Sequence, residues 1–438
     1  MSPRRPNEPT TVLAGVIRKA GRRLLPFLLL LYIMAFLDRV NVGFAKQAYL
    51  RDTGLSEGAY AFGAGIFFIG YALFEVPSNL LMHRFGARVW MCRIMVTWGL
   101  ISAAMVFATQ APVFYTLRFL LGVAEAGFFP GVILYLTYWF PAKERGPMMG
   151  LFYFGAPLAQ ILGGPLSGLL LEMHDAAGLK GWQWMFLVEG LLATGVGVWT
   201  FWYLPSRPVE AKWLSAIERE TLQSALAAED SAKARPEATE VLRVLRQPRI
   251  LFFGLIYCLV QMSVYGVTFY LPSQVAHLLG RETGLLVGLV SAIPWLFALA
   301  AAYLAPRIAG SLGRRREVAI GCLGMAGFGI GLSAAGPPLG AMVGLCLATA
   351  GFIGVQPIFW TFPTDELSGP GAAAGIALIN SIGALGGFLA PNMKALAEKA
   401  WTFPLAGAIT LAATAWLGAA LFALLDERRR ANPAGVSI

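Results

Sequence analysis

The sequence predicts an all-α membrane protein: twelve transmembrane helices in two six-helix bundles related by a pseudo-two-fold axis, with both termini cytoplasmic. Three observations carry this. The 438 residues are 57% hydrophobic and 13% charged, about half the charge of a soluble domain and too little to cover a water-facing surface. Twelve stretches reach the roughly 20 mostly apolar residues that cross a bilayer core. Basic residues, finally, are divided unevenly between alternate loops. Soluble enzymes, disordered proteins and disulfide scaffolds are excluded, the last because Cys92, Cys258, Cys322 and Cys346 all lie in apolar runs.

Residues 1–23 form a basic N-terminal segment. A full-length span follows it directly, so no cleavable signal peptide is expected. The first bundle, 24–204, holds spans Leu24–Ala45, Ala59–Met82, Val89–Thr109, Pro112–Tyr138, Pro147–Leu171 and Trp182–Leu204. Residues 205–249 are the only long hydrophilic stretch, with a surface helix expected around Val209–Ala228. The second bundle, 250–425, holds Ile250–Gln274, Thr283–Ala305, Val318–Gly336, Gly340–Phe362, Gly371–Leu396 and Phe403–Leu425, and 426–438 form a tail. The termini, the central loop and the loops on their side carry 26 of the 34 Lys and Arg residues. That bias places them in the cytoplasm. The loop Pro363–Pro370 dissents, carrying Asp365 and Glu366 and no basic residue.

The halves echo each other. Trp139-Phe-Pro…Gly146-Pro…Gly150 leads into the fifth span, and Trp360-Thr-Phe-Pro…Gly369-Pro…Gly375 into the eleventh, about half a chain later. A six-plus-six duplication is the layout of many secondary transporters, whose substrate site lies at the midplane between halves. Glycine pairs such as Gly127/Gly131 and Gly164/Gly168 suit close helix packing.

Charges within a bilayer cost roughly 2.5–3.5 kcal/mol each by insertion scales, so each is a functional candidate. Asp38, Arg39, Glu75, Arg118, Glu125 and Glu189 are of this kind. At 1.5 Å per residue, Asp38 and Arg39 in the outward first span and Arg118 in the inward fourth reach a similar level. Glu125 follows Arg118 by seven residues, on the same helical face about 10 Å deeper. The expectation is two cations and two carboxylates around one cavity. One reading is anion binding with proton exchange, because arginine offers a rigid charged fork and a desolvated acid titrates. The other is an ion-pair network locking the first span to the fourth. Glu75 and Glu189 fit structural roles as inter-helix acceptors. Gln261, Asn380, Tyr32, Tyr71, Tyr265, Gln356 and Trp360 are at depths that would line the same cavity, with Gln160 competing.

No constellation for chemistry accompanies them. His83, His174 and His277 lack metal-ligand spacing, and there is no Walker loop, zincin motif or nucleophile elbow. No cofactor, no metal and no nucleic acid is expected, and transport would draw on an ion gradient. A drug/proton antiporter is a competing reading, although it would be expected to lack two cavity arginines.

Phe36-Leu-Asp38-Arg39-Val-Asn41-Val-Gly43, Arg118-Phe-Leu-Leu-Gly122-Val-Ala-Glu125-Ala-Gly127, Gly181-Trp-Gln-Trp-Met-Phe-Leu-Val-Glu189-Gly190 and Asn380-Ser-Ile-Gly-Ala-Leu-Gly-Gly-Phe-Leu-Ala-Pro391 give the chain a family look. From Arg22 to Leu425 it resembles the major facilitator superfamily. Within it, the nearest likeness is to the bacterial anion:cation symporters, among tartrate, hydroxyphenylacetate and sugar-acid transporters. The resemblance implies proton coupling at Asp38 and Glu125, a substrate carboxylate on Arg39, and Arg118 as a second cation. It places Tyr71, Trp360 and Asn380 at substrate-pocket positions. Small, apolar Gly155 and Ala156 favour a less hydroxylated acid. The family's loop signature between spans two and three stands as Asn79…His83-Arg84-Phe-Gly86-Ala-Arg88, its first glycine and its acid replaced, and a reduced copy as Gly313-Arg314-Arg315. Arg84, Arg88 and Arg314 are the implied cytoplasmic gate. The partners expected are a small organic anion, protons and membrane lipid, with the carrier a monomer. An anion entering a negative cell is opposed by about 2.3 kcal/mol per charge per 100 mV, which co-transported protons offset.

Overall fold

A computed structural model describes residues 8–231, 247–366, 372–401, 403 and 405–425, and among these every regular element is a helix. Twelve helices are long and apolar enough to cross a membrane: Val12–Thr53, Glu57–Met82, Ala87–Phe107, Ala111–Thr137, Met148–Leu171, Gly181–Tyr203, Pro248–Leu279, Leu285–Leu312, Arg315–Ala335, Pro338–Glu366, Gly375–Ala400 and Ala406–Ala423. Each overlaps one expected span. Residues 232–246 of the central loop, Gly369 and Pro370 of the repeated motif, and the tail 426–438 lie outside the described residues.

Helix pairing shows the duplication directly. In the first half, span two packs on four, one on five and three on six. In the second, eight packs on ten, seven on eleven and nine on twelve. Adding six to each number maps one set onto the other. The same operation exchanges the two main seams between halves, second with eleventh and eighth with fifth. Two six-helix bundles therefore face each other across a pseudo-two-fold axis.

The first helix departs most from expectation. It begins at Glu8, and its 46 residues run about 69 Å at 1.5 Å per residue, more than twice the ~30 Å core. Its leading turns dock on the central segment, where Lys19 Nζ lies 2.8 Å from Glu218 Oε2. That ammonium holds the Glu218 carboxyl below its ordinary range. The surface helix expected over Val209–Ala228 instead spans Ala216–Ser231. Ser215 and Glu218 form a reciprocal capping box that fixes its start, and upstream Pro208 opens a separate 3₁₀ turn.

The fourth span, expected to be continuous, is broken. One helix ends at Glu125 and the next starts at Phe128. Between them Gly127 has φ +85°, a conformation costly for any residue with a Cβ. A Cβ there would also stand 2.4 Å from Ser78 Oγ. Gly127→Ala is expected to lose about 2 kcal/mol or more of stability, read as a lower melting temperature in detergent.

The eighth and fifth spans meet backbone to backbone. A Cβ on Gly288 would lie 2.2 Å from Gly164 O, and one on Gly168 2.3 Å from Gly284 O. Nearby, Arg51 on the first half pairs with Glu282 on the second at 2.8 Å, and Leu285 N–H donates to Glu172 Oε1 at 2.8 Å. All lie at the face opposite the N-terminus, so the halves are closed together there.

Candidate functional site

Two adjoining cavities occupy the space between the halves. The smaller, about 60 Å³, is lined by Arg39, Glu125, Tyr71, Gln261, Gln356 and Asn380 among others. The larger, about 560 Å³, shares Tyr32, Phe36, Arg39, Tyr153, Gln261, Tyr265 and Gln356 with it. From there it runs between the fifth and eighth spans to exposed Gly150, Leu151, Tyr303 and Arg307, near the face that carries the N-terminus. The void thus starts at mid-depth and opens on one side.

Arg39 is the centre of the site. Its Nη2 lies 2.5 Å from Glu125 Oε1, and its Nη1 donates to Tyr265 Oη at 2.8 Å. Rings of Phe36, Tyr71 and Phe67 stand 4.8, 5.4 and 5.5 Å from the guanidinium, a geometry that favours a cation. The break after Glu125 places this carboxylate at a helix end beside the cavity, and its Oε2 has no hydrogen-bond partner among the described residues. The pair is polar, desolvated and reachable from one face.

The expectation that Asp38 and Arg118 share this cavity is corrected. Neither lines it. Arg118, 1% exposed, turns toward the second span, where Nη2 donates to Ala64 O at 3.2 Å and Nε to Gly63 O at 3.4 Å. The Phe67 ring, 5.0 Å from it, is also 5.5 Å from the Arg39 guanidinium. Asp38 is held by Asn41 Nδ2 at 3.0 Å and by the Ser102 hydroxyl, inside the first bundle. Trp360 is also displaced from expectation. Its ring packs edge-on against Tyr257 at 5.0 Å, one layer behind the lining. Glu189 accepts from Ser167 Oγ at 2.7 Å, an inter-helix bond as expected. Gln160 and Ala156 line the larger cavity. Gly155 leaves room for Tyr32, whose ring atom would stand 2.5 Å from a Cβ there.

Sequence reading missed Tyr257, Tyr153 and Phe129. The signal for Tyr257 is present: Tyr257, Gln261 and Tyr265 recur every fourth residue, which sets them on one helix face.

Of the basic loop residues, Arg88 binds within its own half, donating to Leu204 O at 3.0 Å and to Glu210 Oε2 at 2.7 Å. Glu210, in the central segment, is thus the acid paired with Arg88. Arg84 lies exposed over Phe85, its guanidinium 5.6 Å from the ring, and Arg314 is exposed before the ninth span. The dissenting acids of the 363–370 loop are accounted for: Arg315 pairs with Asp365 at 2.8 Å, and Arg249 pairs with Glu366.

Known proteins give the same outline. The chain is 49% identical over 420 residues to the inner membrane transport protein RhmT of Escherichia coli K12, covering 96% of this chain and 97% of that one. It is 45% identical over 379 residues to a putative tartrate transporter of Agrobacterium vitis, covering 86% and 87%. In three dimensions it superposes on the E. coli xylose transporter XylE in a partially occluded inward-open conformation, with TM-score 0.69 at 17% identity over 92% of this chain and all of that one. With residues 28–391 matching the Major Facilitator Superfamily, this multi-pass membrane transporter belongs to that family.

Proposed function

We propose that the protein takes up a small organic carboxylate, such as tartrate or a related hydroxy acid, together with protons by alternating access. The observation that carries this reading is the Arg39–Glu125 pair in the wall of a void at mid-depth. A buried guanidinium tied to a buried carboxylate is a switch between two partners. With Glu125 ionised, Arg39 is occupied internally. With Glu125 protonated, the fork is released to a substrate carboxylate, and charge on the site is conserved. Asp38, held by Ser102 and Asn41, is assigned the second proton, and Arg118 is a second buried cation of the same bundle. Tyr32, Tyr71, Gln261, Gln356 and Asn380 supply hydroxyl and amide groups to the substrate. Trp360 orders this wall through Tyr257. In this assignment the N-terminal face is cytoplasmic, the membrane is a bacterial inner membrane, the carrier acts as a monomer, and Arg84, Arg88 and Arg314 gate that side.

The test is uptake of labelled tartrate into proteoliposomes. An inward proton gradient is expected to raise the initial rate several-fold, with block by unlabelled carboxylates. If tartrate does not move and no carboxylate competes with it, the pair is an internal lock. Hydroxyphenylacetate, galactonate and glucarate as competitors sort the ligand class. The rings of Tyr32, Phe36, Phe129, Tyr153, Tyr257 and Tyr265 around the void favour an aromatic acid as the second reading.

A further inference from the structure

Glu75 is 1% exposed and lies in the second span, yet both of its carboxylate oxygens are taken by the other half of the molecule. Asn380 Nδ2 donates to Oε1 at 2.6 Å, and Ser381 Oγ donates to Oε2 at 2.9 Å. Asn380 also lines the small cavity, as does Tyr71 one turn before Glu75. No cation is among these hydrogen-bond partners: the charge is held by a neutral amide and a hydroxyl. The eleventh span thus carries a carboxylate-binding pair of donors, Asn380 in the cavity wall and Ser381 beside it in sequence, and a carboxylate of the chain fills it.

Arg39 is in the same condition. It lines the cavity, and its Nη2 is held by Glu125 while Nη1 donates to Tyr265. The void therefore has one internal carboxylate in its wall, Glu125 beside a cation, and a second, Glu75, held between neutral donors of which one, Asn380, is in that wall.

We infer that Glu75 is a tethered stand-in for the second carboxylate of a two-carboxylate substrate, which displaces it from Asn380 and Ser381. The inference rests on the proposed function, since it takes the Arg39 site as the place of the first carboxylate. Displacement has a mechanical side. Glu75 is seven residues from Met82, about 10 Å from the N-terminal face at 1.5 Å per residue, and its bonds tie the second span to the eleventh. A substrate that takes both donors unties that seam.

The test is binding of tartrate and of glycerate, which has one carboxylate, to the full-length protein in detergent by calorimetry. Glu75→Ala is expected to tighten tartrate about tenfold, equivalent to about 1.4 kcal/mol, and to change glycerate less than about threefold. Equal tightening of both ligands overturns the inference, because removing any nearby negative charge favours all anions alike. Unchanged or weaker tartrate binding also overturns it, and Glu75 is then a tie between spans. Should Glu75→Ala fail to fold, Glu75→Gln keeps the volume, removes the charge and carries the same expectation. Absence of tartrate and glycerate binding to the unaltered protein would instead defeat the proposed function.

Discussion

Glu125→Gln is expected to abolish proton-driven accumulation of substrate while leaving counterflow exchange at a third or more of its normal rate. The amide has the shape of a protonated carboxyl and never ionises, so it cannot pull Arg39 back once the substrate has left. Binding then loses its dependence on proton uptake, and the two directions of the cycle become equal. The sign with pH follows. For the unaltered protein, lowering pH protonates Glu125, frees Arg39 and raises substrate affinity; in the variant this component of the pH dependence is lost. Measurement requires the two assays side by side in one liposome preparation, with net uptake under a gradient and exchange without one. Loss of both would mean that Glu125 serves binding itself.

Arg39→Ala is expected to weaken carboxylate binding by at least about 100-fold, or about 2.7 kcal/mol, the scale for truncating one member of a buried charged pair. Arg39→Lys keeps the charge and loses the planar fork, so about a tenfold loss is expected. The informative contrast is Arg118→Lys. Arg118 bonds to backbone carbonyls of the second span beside Phe67. Its substitution should lower the melting temperature and move the dissociation constant by less than about threefold, against the 1.4 kcal/mol that a tenfold change requires. Equal losses at both arginines would place both guanidinium groups on the ligand.

Depth was legible in the residues, and direction around a helix was not. Counting at 1.5 Å per residue sets Arg39 and Arg118 at one level, and both stand near the Phe67 ring, whereas Glu125, counted about 10 Å deeper, meets Arg39. Whether a side chain faces a cavity or a neighbouring helix depends on which helices pack where, and for Arg118 the carbonyls of Gly63 and Ala64 on the second span take its donors. Glu125 and Arg39 stood out because a charge in a bilayer is costly wherever it points. Glu75 stood out for the same reason, but its partners Asn380 and Ser381 lie some three hundred residues away, beyond any local pattern. The break at Gly127 followed a glycine that also suits plain packing, so the sequence left its left-handed conformation undetermined. Ser215-x-x-Glu218 was a readable cap signal, and it alone would have moved the start of the central helix to Ala216.

The glycine contact between the fifth and eighth spans bears on how tightly the carrier insulates. Gly164 and Gly288 meet through backbone atoms, so the tightest contact in this part of the barrier is made by main chain. A gate made of side chains flickers as rotamers exchange in picoseconds to nanoseconds, and each flicker is an opportunity for a stray proton. A gate made of main chain yields only when whole helices move, in microseconds to milliseconds. Opening of this seam is therefore held to the pace of whole-helix motion.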